Sequence, residues 1–311
     1  MSEITNILSK ELGTGLEENV PLANFSSLKV GGNADFFYRA KDIASLTLAV
    51  SLACRNNLAF FILGGGYNIV PSDQGFRGLV IKNESNNIVF SSESSKVIVD
   101  SGVNLGSLIN AAAGRDLGGL EFLFGVPGTV GGAVYGNAGA FNYEIGNFVK
   151  SVTLLTLKDG NCAIVRHDSE WMRFGYRSSI LKKEKDSFKP VILTVTLQLV
   201  QRRRDEILRM MQENIAKKKL SQPLGEFSAG SFFKNAGIGK ELAAGYLLDQ
   251  AGAKKMRQGG AAFSQKHANF LINKKNATAS DVRELAQKAR EVVIQKSNIE
   301  LAEEVEYIGQ W

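Results

Sequence analysis

Residues 125–140 read GVPGTVGGAVYGNAGA, with glycines at positions 125, 128, 131, 132, 136 and 139. Pro127 stiffens the start of the first turn, and small residues dominate the rest. A surface linker would carry charged residues, whereas this stretch carries the apolar Val126, Val130, Val134 and Tyr135. We therefore predict main chain that lies close against a large flat ligand or its diphosphate. A tightly packed loop of small residues is the alternative.

A second glycine run, Gly64-Gly65-Gly66-Tyr67-Asn68, follows Ala59–Leu63, an apolar stretch typical of a buried strand. Consecutive glycines allow positive φ, so that backbone N–H groups can converge on a phosphate. The run is not a Walker loop, because no Gly-Lys-Ser/Thr follows, and it is not the G-x-G-x-x-G dinucleotide fingerprint. Taken alone, it is equally compatible with a structural tight turn.

The apolar pattern predicts an α+β chain. Strand-like and helix-like segments alternate between residues 25 and 82, as in a small α/β unit, with a strand predicted at Ala34–Tyr38 and a helix at Ile43–Asn56. Strand-like segments dominate from 86 to 200 and include a strand predicted at Val191–Val200. Residues 201–220 have helical spacing of apolar residues. Residues 221–311 mix strands with helices, the strands predicted at Ala268–Asn273 and Glu304–Ile308 and the helices at Lys240–Gln250 and Ala279–Val293.

We therefore expect two domains. The first spans residues 1–200, with subdomains at about 1–85 and 86–200, and the second spans residues 201–311 and begins with the linker helix 201–220.

Composition excludes several classes of protein. The 311 residues are 44% hydrophobic and 22% charged, as in an ordinary globular chain, and no run approaches the ~20 apolar residues of a membrane helix. The N-terminal MSEITNILSKEL lacks the apolar segment of a signal peptide. Two cysteines (Cys54, Cys162) and two histidines (His167, His267) are too few for a disulfide framework, a four-thiolate zinc site or a His-rich metal centre. We expect a cytoplasmic protein with no metal site and no membrane insertion.

The net charge of +6 is concentrated in residues 201–220, which hold seven basic and three acidic residues. A solvated basic helix face is the simplest interpretation, and a basic wall that steers an anionic small molecule is the second. Nucleic acid comes third and is not expected as a partner, because no zinc finger, aromatic RNA-binding signature or basic tail accompanies the patch.

Seven segments in order along the chain resemble the UDP-N-acetylenolpyruvoylglucosamine reductase family. They span about residues 24–308, and jointly they are highly specific. They are NFSSLKVGGNAD (24–35), GGGYN (64–68), PGTVGGAVYGNAGAF (127–141), FGYRSSILK (174–182), SAGSFFKN (228–235), HANFLIN (267–273) and LAEEV (301–305).

The resemblance implies a two-part FAD-binding domain of the vanillyl-alcohol oxidase type and a C-terminal α/β substrate-binding domain. It also implies the reaction, in which NADPH reduces FAD and the flavin reduces UDP-N-acetylglucosamine enolpyruvate to UDP-N-acetylmuramate in peptidoglycan precursor synthesis. Cell wall biogenesis, cell shape and cell division would depend on that product. FAD should be noncovalent, because no histidine adjoins the GGGYN run. No obligate protein partner is expected.

The resemblance assigns catalysis to Arg177, Ser231 and Glu304. Arg177 lies among apolar and aromatic residues, where its planar fork suits the substrate carboxylate, although a structural ion pair would explain it too. Strand periodicity does not separate Glu303 from Glu304, and the family pattern, with its acid directly before Val305, selects Glu304. Substrate binding is assigned to Tyr176, Lys234, Asn235 and His267. Cofactor binding is assigned to Gly64, Gly65, Gly66, Tyr67, Asn68, Pro127, Gly128, Thr129, Gly131, Gly132, Ala133, Asn137 and Gly139.

The chain departs from the family pattern at Tyr67, Ser178, Ala236 and Glu306, where serine, aspartate, proline and arginine are usual. It resembles the shorter subtype, because residues 174–182 run almost directly into the strand at 191–200 and leave no room for a loop with a substrate-binding tyrosine. Two other functions fit the glycine runs. One is an FAD-dependent oxidase of the same fold with another substrate, and the other is a non-catalytic nucleotide-binding protein.

Overall fold

A computed structural model describes residues 3–158, 161–183 and 188–311. The chain divides into two compact units. The first unit comprises residues 1–17, 36–65 and 78–217, and the second comprises residues 18–35, 66–77 and 218–311. The domain boundary after residue 200 stays a prediction. So does the subtype without the tyrosine loop, because residues 184–187 of the short connection lie outside the described residues.

The described chain contains both helices and strands. The α-helices are α1 Glu3–Leu12, α2 Ile43–Arg55, α3 Leu105–Ala113, α4 Val130–Tyr135, α5 Ile180–Lys183, α6 Arg204–Ser221, α7 Ala244–Ala251 and α8 Ala279–Ser297. The strands are β1 Leu16–Pro21, β2 Asn33–Ala40, β3 Phe60–Leu63, β4 Ile69–Pro71, β5 Phe76–Asn83, β6 Ile88–Phe90, β7 Lys96–Asp100, β8 Leu117–Gly118, β9 Gly139–Ala140, β10 Tyr143–Glu144, β11 Val149–Lys158, β12 Asn161–Asp168, β13 Val191–Gln198, β14 Val200–Gln201, β15 Ser228–Ser231, β16 Arg257–Gln258, β17 Ala261–Phe263, β18 Phe270–Asn273 and β19 Glu306–Ile308.

The main sheet of the first unit has the strand order β12-β11-β13-β7-β6 and is antiparallel throughout. Alternate residues of β13 are buried, including Val195 and Leu197, because successive side chains of a strand point to opposite faces. The buried face packs with α3 and α4 in one apolar cluster. Asn104 begins α3 by accepting a hydrogen bond from Ser107 N at 3.2 Å. Because α4 belongs to the stretch 125–140, its packing in this cluster attaches that stretch to the sheet.

A smaller α/β part of the same unit presents the GGGYN run. β3 pairs in parallel with β5, and α2 precedes β3. Asp42 and Ser45 form a capping box at the start of α2, and the Ser45 N–H lowers the pKa of the Asp42 carboxyl. Leu46, Ala49 and Val50 of α2 are fully buried in the cluster that includes Leu79 and Ile81 of β5. Gly64 therefore follows a strand whose position is fixed by packing.

The second unit contains an antiparallel sheet in the order β15-β18-β17-β16, with α7 and α8 in the same apolar cluster. Its largest fully buried side chains are Phe232, Phe233 and Phe263. β19 pairs in parallel with β4, which brings a segment near residue 70 into this unit.

Asp73 fixes that N-terminal segment to the start of α8. Its carboxylate accepts hydrogen bonds from Ala279 N at 2.7 Å and from Ser280 N at 2.9 Å. Thr278 and Asp281 form a capping box beside it. These backbone N–H groups have no partner within the helix, and a carboxylate also interacts favourably with the positive end of the helix dipole.

Asp73→Ala removes two cap bonds and the charge, so we expect the free energy of unfolding to fall by about 1–2 kcal/mol. Urea denaturation followed by circular dichroism measures it. Glu18→Ala removes an exposed carboxylate of the same unit and should change stability by less than about 0.5 kcal/mol. Equal losses in the two variants would contradict a capping role for Asp73.

Candidate active site

The two glycine-rich segments of the first unit meet at Gly64 and Thr129. A Cβ added to Gly64 would lie 2.7 Å from Thr129 Oγ1, and Lys82 Nζ donates a hydrogen bond to Gly64 O. Thr129 also begins α4, since its hydroxyl accepts a bond from Gly132 N at 3.4 Å. Backbone that can be approached closely, a hydroxyl and an ammonium group are the donor set that binds a diphosphate. These residues therefore fit the diphosphate of FAD.

Gly66 belongs to the second unit and is fixed by its own neighbours. Its φ is +73°, and any side chain there would collide with Phe25 O. Ser27 N donates to Gly66 O at 2.9 Å. The hydroxyl oxygens of Ser26 and Ser27 are buried and have no hydrogen-bond partner within the described structure. Buried hydroxyl groups are normally bonded, so this loop has polar groups to offer to a ligand.

Ser231 and Glu304 are brought together in the second unit by direct backbone pairing. Glu304 N donates to Phe232 O at 2.8 Å, and Lys234 N donates to Ala302 O at 2.8 Å. Ser231 immediately precedes Phe232, so the hydroxyl and the carboxylate lie on adjacent stretches of main chain. The structure thus joins two residues that are 73 positions apart in the sequence.

Asn269 holds the Ser231 side of this pair. Its side chain is 3% exposed, accepts a hydrogen bond from Phe233 N at 2.9 Å and donates one to Phe233 O at 2.8 Å. Its backbone oxygen accepts from Phe232 N. Sequence reasoning missed this residue; the signal was an asparagine placed directly before the apolar strand β18.

Asn68 holds the Glu304 side. Its Nδ2 donates to Glu304 O at 3.1 Å, and its own carbonyl accepts from Glu306 N at 2.9 Å. Asn68 is predicted to bind cofactor, and that role stays a prediction. What its side chain does in the structure is hold the main chain of Glu304.

Glu303 has a separate structural partner. Tyr307 donates its hydroxyl to Glu303 Oε1 at 3.0 Å, and the guanidinium of Arg283 lies 5.9 Å from the Tyr307 ring centroid. Burial, followed by the Glu303 charge, raises the pKa of the Tyr307 hydroxyl. Glu303 therefore accepts a hydrogen bond from a neutral phenol, which gives its carboxylate a structural role.

Arg177 lies at the tip of a tight turn in the first unit. Gly175 and Ser178 exchange two backbone hydrogen bonds of 3.0 Å, which leaves Tyr176 and Arg177 at the turn. Arg177 has φ of +51°, an unfavourable conformation for a long side chain that is enriched at functional sites. Its Nη2 donates to Gly139 O at 2.8 Å, and the Tyr176 side chain is exposed.

The remaining predicted substrate residues lie in the second unit. Asn235 Oδ1 accepts a hydrogen bond from Ala244 N at 3.0 Å and so begins α7. His267 Nδ1 accepts from Asn269 N at 3.2 Å, and its ring packs so closely on Gly245 that a Cβ there would lie 2.8 Å from Cε1. Burial, with a smaller contribution from Lys254, lowers the pKa of His267.

The linker helix α6 is less uniformly solvated than its sequence predicts. Lys218 is only 5% exposed, and burial lowers its pKa to about 8. Lys217 extends its ammonium to 5.5 Å from the Phe141 ring centroid in the first unit.

Among residues 3–158, 161–183 and 188–311, no helix is long and apolar enough to cross a membrane. Across the same residues, no cluster of three His, Cys, Asp or Glu side chains is suited to a metal ion.

Two family models and several nearly full-length relatives match this chain. A family model described as an FAD binding domain matches residues 34–166, and one described as the C-terminal domain of UDP-N-acetylenolpyruvoylglucosamine reductase matches residues 222–308. UDP-N-acetylenolpyruvoylglucosamine reductase of Clostridium novyi (strain NT) is 37% identical over 99% of this chain and 96% of its own length. The Carboxydothermus hydrogenoformans enzyme is 37% identical over 97% of each chain.

A crystal structure of the reductase from Thermus caldophilus covers 94% of this chain and 98% of its own, with 32% identity and a TM-score of 0.76. The α+β fold, with an FAD-binding domain followed by a distinct C-terminal domain, is confirmed. The fold and its glycine-rich segments define an FAD-dependent oxidoreductase. More specifically, the chain belongs to the UDP-N-acetylenolpyruvoylglucosamine reductase family.

The pKa of His267 generates a prediction about stability. Because its pKa is lowered in the folded state, the unfolded chain binds a proton more readily below about pH 6.5. Stability should therefore fall as the pH is lowered through this range and be retained above it. In His267→Asn, which keeps an acceptor for Asn269 N but does not titrate, urea denaturation should give a flatter pH dependence. A slope identical to that of the unmodified chain would count against the burial of a neutral imidazole.

Proposed function

We propose that the chain reduces UDP-N-acetylglucosamine enolpyruvate to UDP-N-acetylmuramate, with NADPH as hydride donor and FAD as cofactor. The observation that carries this is the backbone pairing that places Ser231 beside Glu304 in a chain similar to the reductases over nearly its whole length. The product is a precursor of peptidoglycan. We further propose that the protein works in the cytoplasm and that cell wall biogenesis, cell shape and cell division depend on it.

FAD, when bound, would supply the hydride-transfer chemistry between NADPH and the alkene of the enolpyruvyl group. Thr129, Lys82 and the glycine backbone at Gly64 supply donors for its diphosphate. We propose noncovalent binding, since no histidine adjoins the GGGYN run. The residues proposed to contact the cofactor are Gly64, Gly65, Gly66, Tyr67, Asn68, Pro127, Gly128, Thr129, Gly131, Gly132, Ala133, Asn137 and Gly139, with Asn137 doing so through its main chain.

Arg177 is proposed to bind the carboxylate of the enolpyruvyl group. Its guanidinium is planar and can donate two parallel hydrogen bonds, whereas a lysine would act as a point charge. When hydride adds to one alkene carbon, negative charge develops on the other carbon and on the adjoining carboxylate. A fixed cation stabilises that charge more than it stabilises the substrate, which accelerates the step.

Ser231 is proposed to complete the reduction by giving its hydroxyl proton to the carbon that carries the developing charge. A hydroxyl is a weak acid in water, but an enolate carbon is basic enough to take its proton. Gly230 and Ala229 offer no bulk beside it, and the two residues that follow it directly, Phe232 and Phe233, are apolar and buried from water. Glu304 is proposed to act electrostatically, by helping to hold the proton of the enolic intermediate.

Tyr176, Lys234, Asn235 and His267 are proposed to contact the polar groups of the UDP-sugar. Asn235 Oδ1 accepts from Ala244 N, and its Nδ2 is the group proposed to donate to the substrate. The exposed basic residues of α6 would attract the anionic substrate before it binds.

A coupled assay tests the function as a whole. Purified protein should be yellow, should release its flavin to the supernatant on acid precipitation, and should oxidise NADPH only when the enolpyruvyl UDP-sugar is present. Oxidation that depends instead on oxygen would identify an oxidase of the same fold. A colourless protein that does not bind FAD would identify a nucleotide-binding protein.

Ser231→Ala should separate the two half-reactions. We expect FAD binding and reduction by NADPH to be unchanged, and reoxidation by the enolpyruvyl UDP-sugar to slow by about a hundredfold or more, the scale of a positioned proton donor. Stopped-flow absorbance of the flavin measures both. Ser228→Ala is the matched control, because that hydroxyl only accepts a bond from Gly230 N. Equal slowing of both half-reactions, or of neither, would remove Ser231 from proton transfer.

Lys234→Ala should raise KM for the UDP-sugar by about tenfold, because the substitution removes a cation that is proposed to bind this anionic ligand. Flavin reduction by NADPH should stay the same. Lys275→Ala removes an exposed cation of the same unit and should leave KM unchanged. A KM unaffected by the Lys234 substitution would mean that other residues bind the diphosphate.

A further inference from the structure

Asn137 is fully buried at the centre of a hydrogen-bond network in the first unit. Its side chain is 0% exposed. Oδ1 accepts from Gly146 N at 3.0 Å, and Nδ2 donates to Glu144 Oε2 at 2.7 Å and to Gly175 O at 2.9 Å. Each of the two amide hydrogens therefore has an acceptor within the protein. A group used in this way is not free to bond a flavin through its side chain.

The bond to Gly175 O reaches the turn that presents Arg177. Gly175 and Ser178 close that turn by exchanging backbone hydrogen bonds, so Asn137 holds one of its two end residues. Ser179 holds the other end: its buried hydroxyl donates to Tyr135 O at 2.6 Å. The partners of the turn in these two bonds, Asn137 and Tyr135, both lie in the glycine-rich stretch 125–140.

The same stretch also contacts Arg177 itself. Arg177 Nη2 donates to Gly139 O, and a Cβ on Gly139 would lie 3.1 Å from Nη1 and 3.0 Å from Glu144 Cγ. The nearest atom to that Cβ would be Tyr143 O at 2.6 Å, so a side chain at position 139 would clash with the Tyr143 main chain and crowd the guanidinium. Residues 135–139 surround both the base of the turn and the charged group at its tip.

We propose that Asn137 is a positioning residue for Arg177, and that residues 135–139 hold the arginine turn in addition to any contact with cofactor. This rests on the proposed role of Arg177 as the ligand of the substrate carboxylate. The physical reason is the unfavourable φ of +51° at Arg177, which persists only when surrounding contacts impose it. Without the Asn137 amide, the turn can relax, and the guanidinium fork loses its alignment with the carboxylate.

Asn137→Gly is the informative variant. Asn137 has φ of +47°, which glycine adopts without strain, so the substitution removes the side chain and leaves the backbone conformation accessible. Asn137→Asp is a second variant of the same size that tolerates this φ but replaces both donor hydrogens by an acceptor facing Glu144. Asn214→Ala is the matched control, because it deletes an amide that bonds a backbone carbonyl elsewhere in the unit, Glu121 O at 2.9 Å.

We expect both Asn137 variants to bind FAD with unchanged Kd and to be reduced by NADPH at the unmodified rate. Reoxidation by the enolpyruvyl UDP-sugar should slow by about tenfold to a hundredfold, the effect of a misplaced reacting group. Flavin fluorescence titration gives Kd, and stopped-flow absorbance gives the two rates. The Asn214 control should leave all three unchanged. A weaker affinity for FAD in the Asn137 variants, or slowing of both half-reactions, would overturn the proposal in favour of a cofactor contact.

A double-mutant cycle with Arg177→Lys decides whether Asn137 acts through Arg177. Arg177→Lys alone should slow reoxidation at least about tenfold, since lysine lacks the fork, and adding Asn137→Gly should then slow it by less than about twofold more. If Asn137→Gly and Arg177→Lys are each slow and their effects multiply in the double variant, the positioning role of Asn137 is overturned, while the proposed role of Arg177 stands. An Arg177→Lys enzyme as fast as the unmodified one would overturn the proposed role of Arg177, and the positioning role with it.

Discussion

The amide of Asn269, buried against both backbone groups of Phe233, is the contact on which the arrangement of the second unit depends. It substitutes for a neighbouring strand where a regular strand pairing is lacking, because an asparagine side chain carries the same donor and acceptor as a peptide group. A buried backbone N–H left without a partner would cost about 1–3 kcal/mol. With Phe233 fixed, Phe232 O is in place to accept from Glu304 N, and the Ser231 and Glu304 main chains are held side by side.

An asparagine side chain supports the main chain at or beside each candidate catalytic residue. Asn68 bonds Glu304 O, and Asn137 bonds the carbonyl of Gly175 at the base of the Arg177 turn. In every case the amide bonds main chain, so the functional side chain itself is not occupied by the contact that positions it. A buried and fully bonded polar group also tolerates few alternative arrangements, because any shift leaves a donor or acceptor unpaired. Rigid supporting main chain is what a preorganised site requires.

Much of the local structure follows from the sequence. The predicted strand Ala34–Tyr38 lies within β2, the helix predicted from Ile43 ends one residue early, at Arg55, and the strand predicted from Val191 is β13. Apolar periodicity sufficed there because packing and local propensity agree. The helix predicted from Lys240 begins only at Ala244, since residues 240–242 form a 3-10 turn and Asn235 caps the helix from outside. The strand predicted from Glu304 begins at Glu306, after an isolated bridge between Phe233 and Glu303.

The candidate site, like the secondary structure, could be predicted from the sequence only in part. Residue type and motif suggested Arg177, Ser231 and Glu304, but the roles of Asn68 and Asn137 depend on partners that no local pattern reveals. Asn68 and Glu304 are 236 residues apart, and the Asn137 amide reaches Gly175 across 38 residues. A glycine-rich stretch read alone indicates a ligand, because close approach is what glycine allows. At Gly139 the groups that approach closely belong to the chain itself: the Tyr143 carbonyl, the Glu144 side chain and the guanidinium of Arg177. Small residues there make room for a charged side chain of the same chain, so close approach in a glycine-rich stretch does not by itself require a ligand.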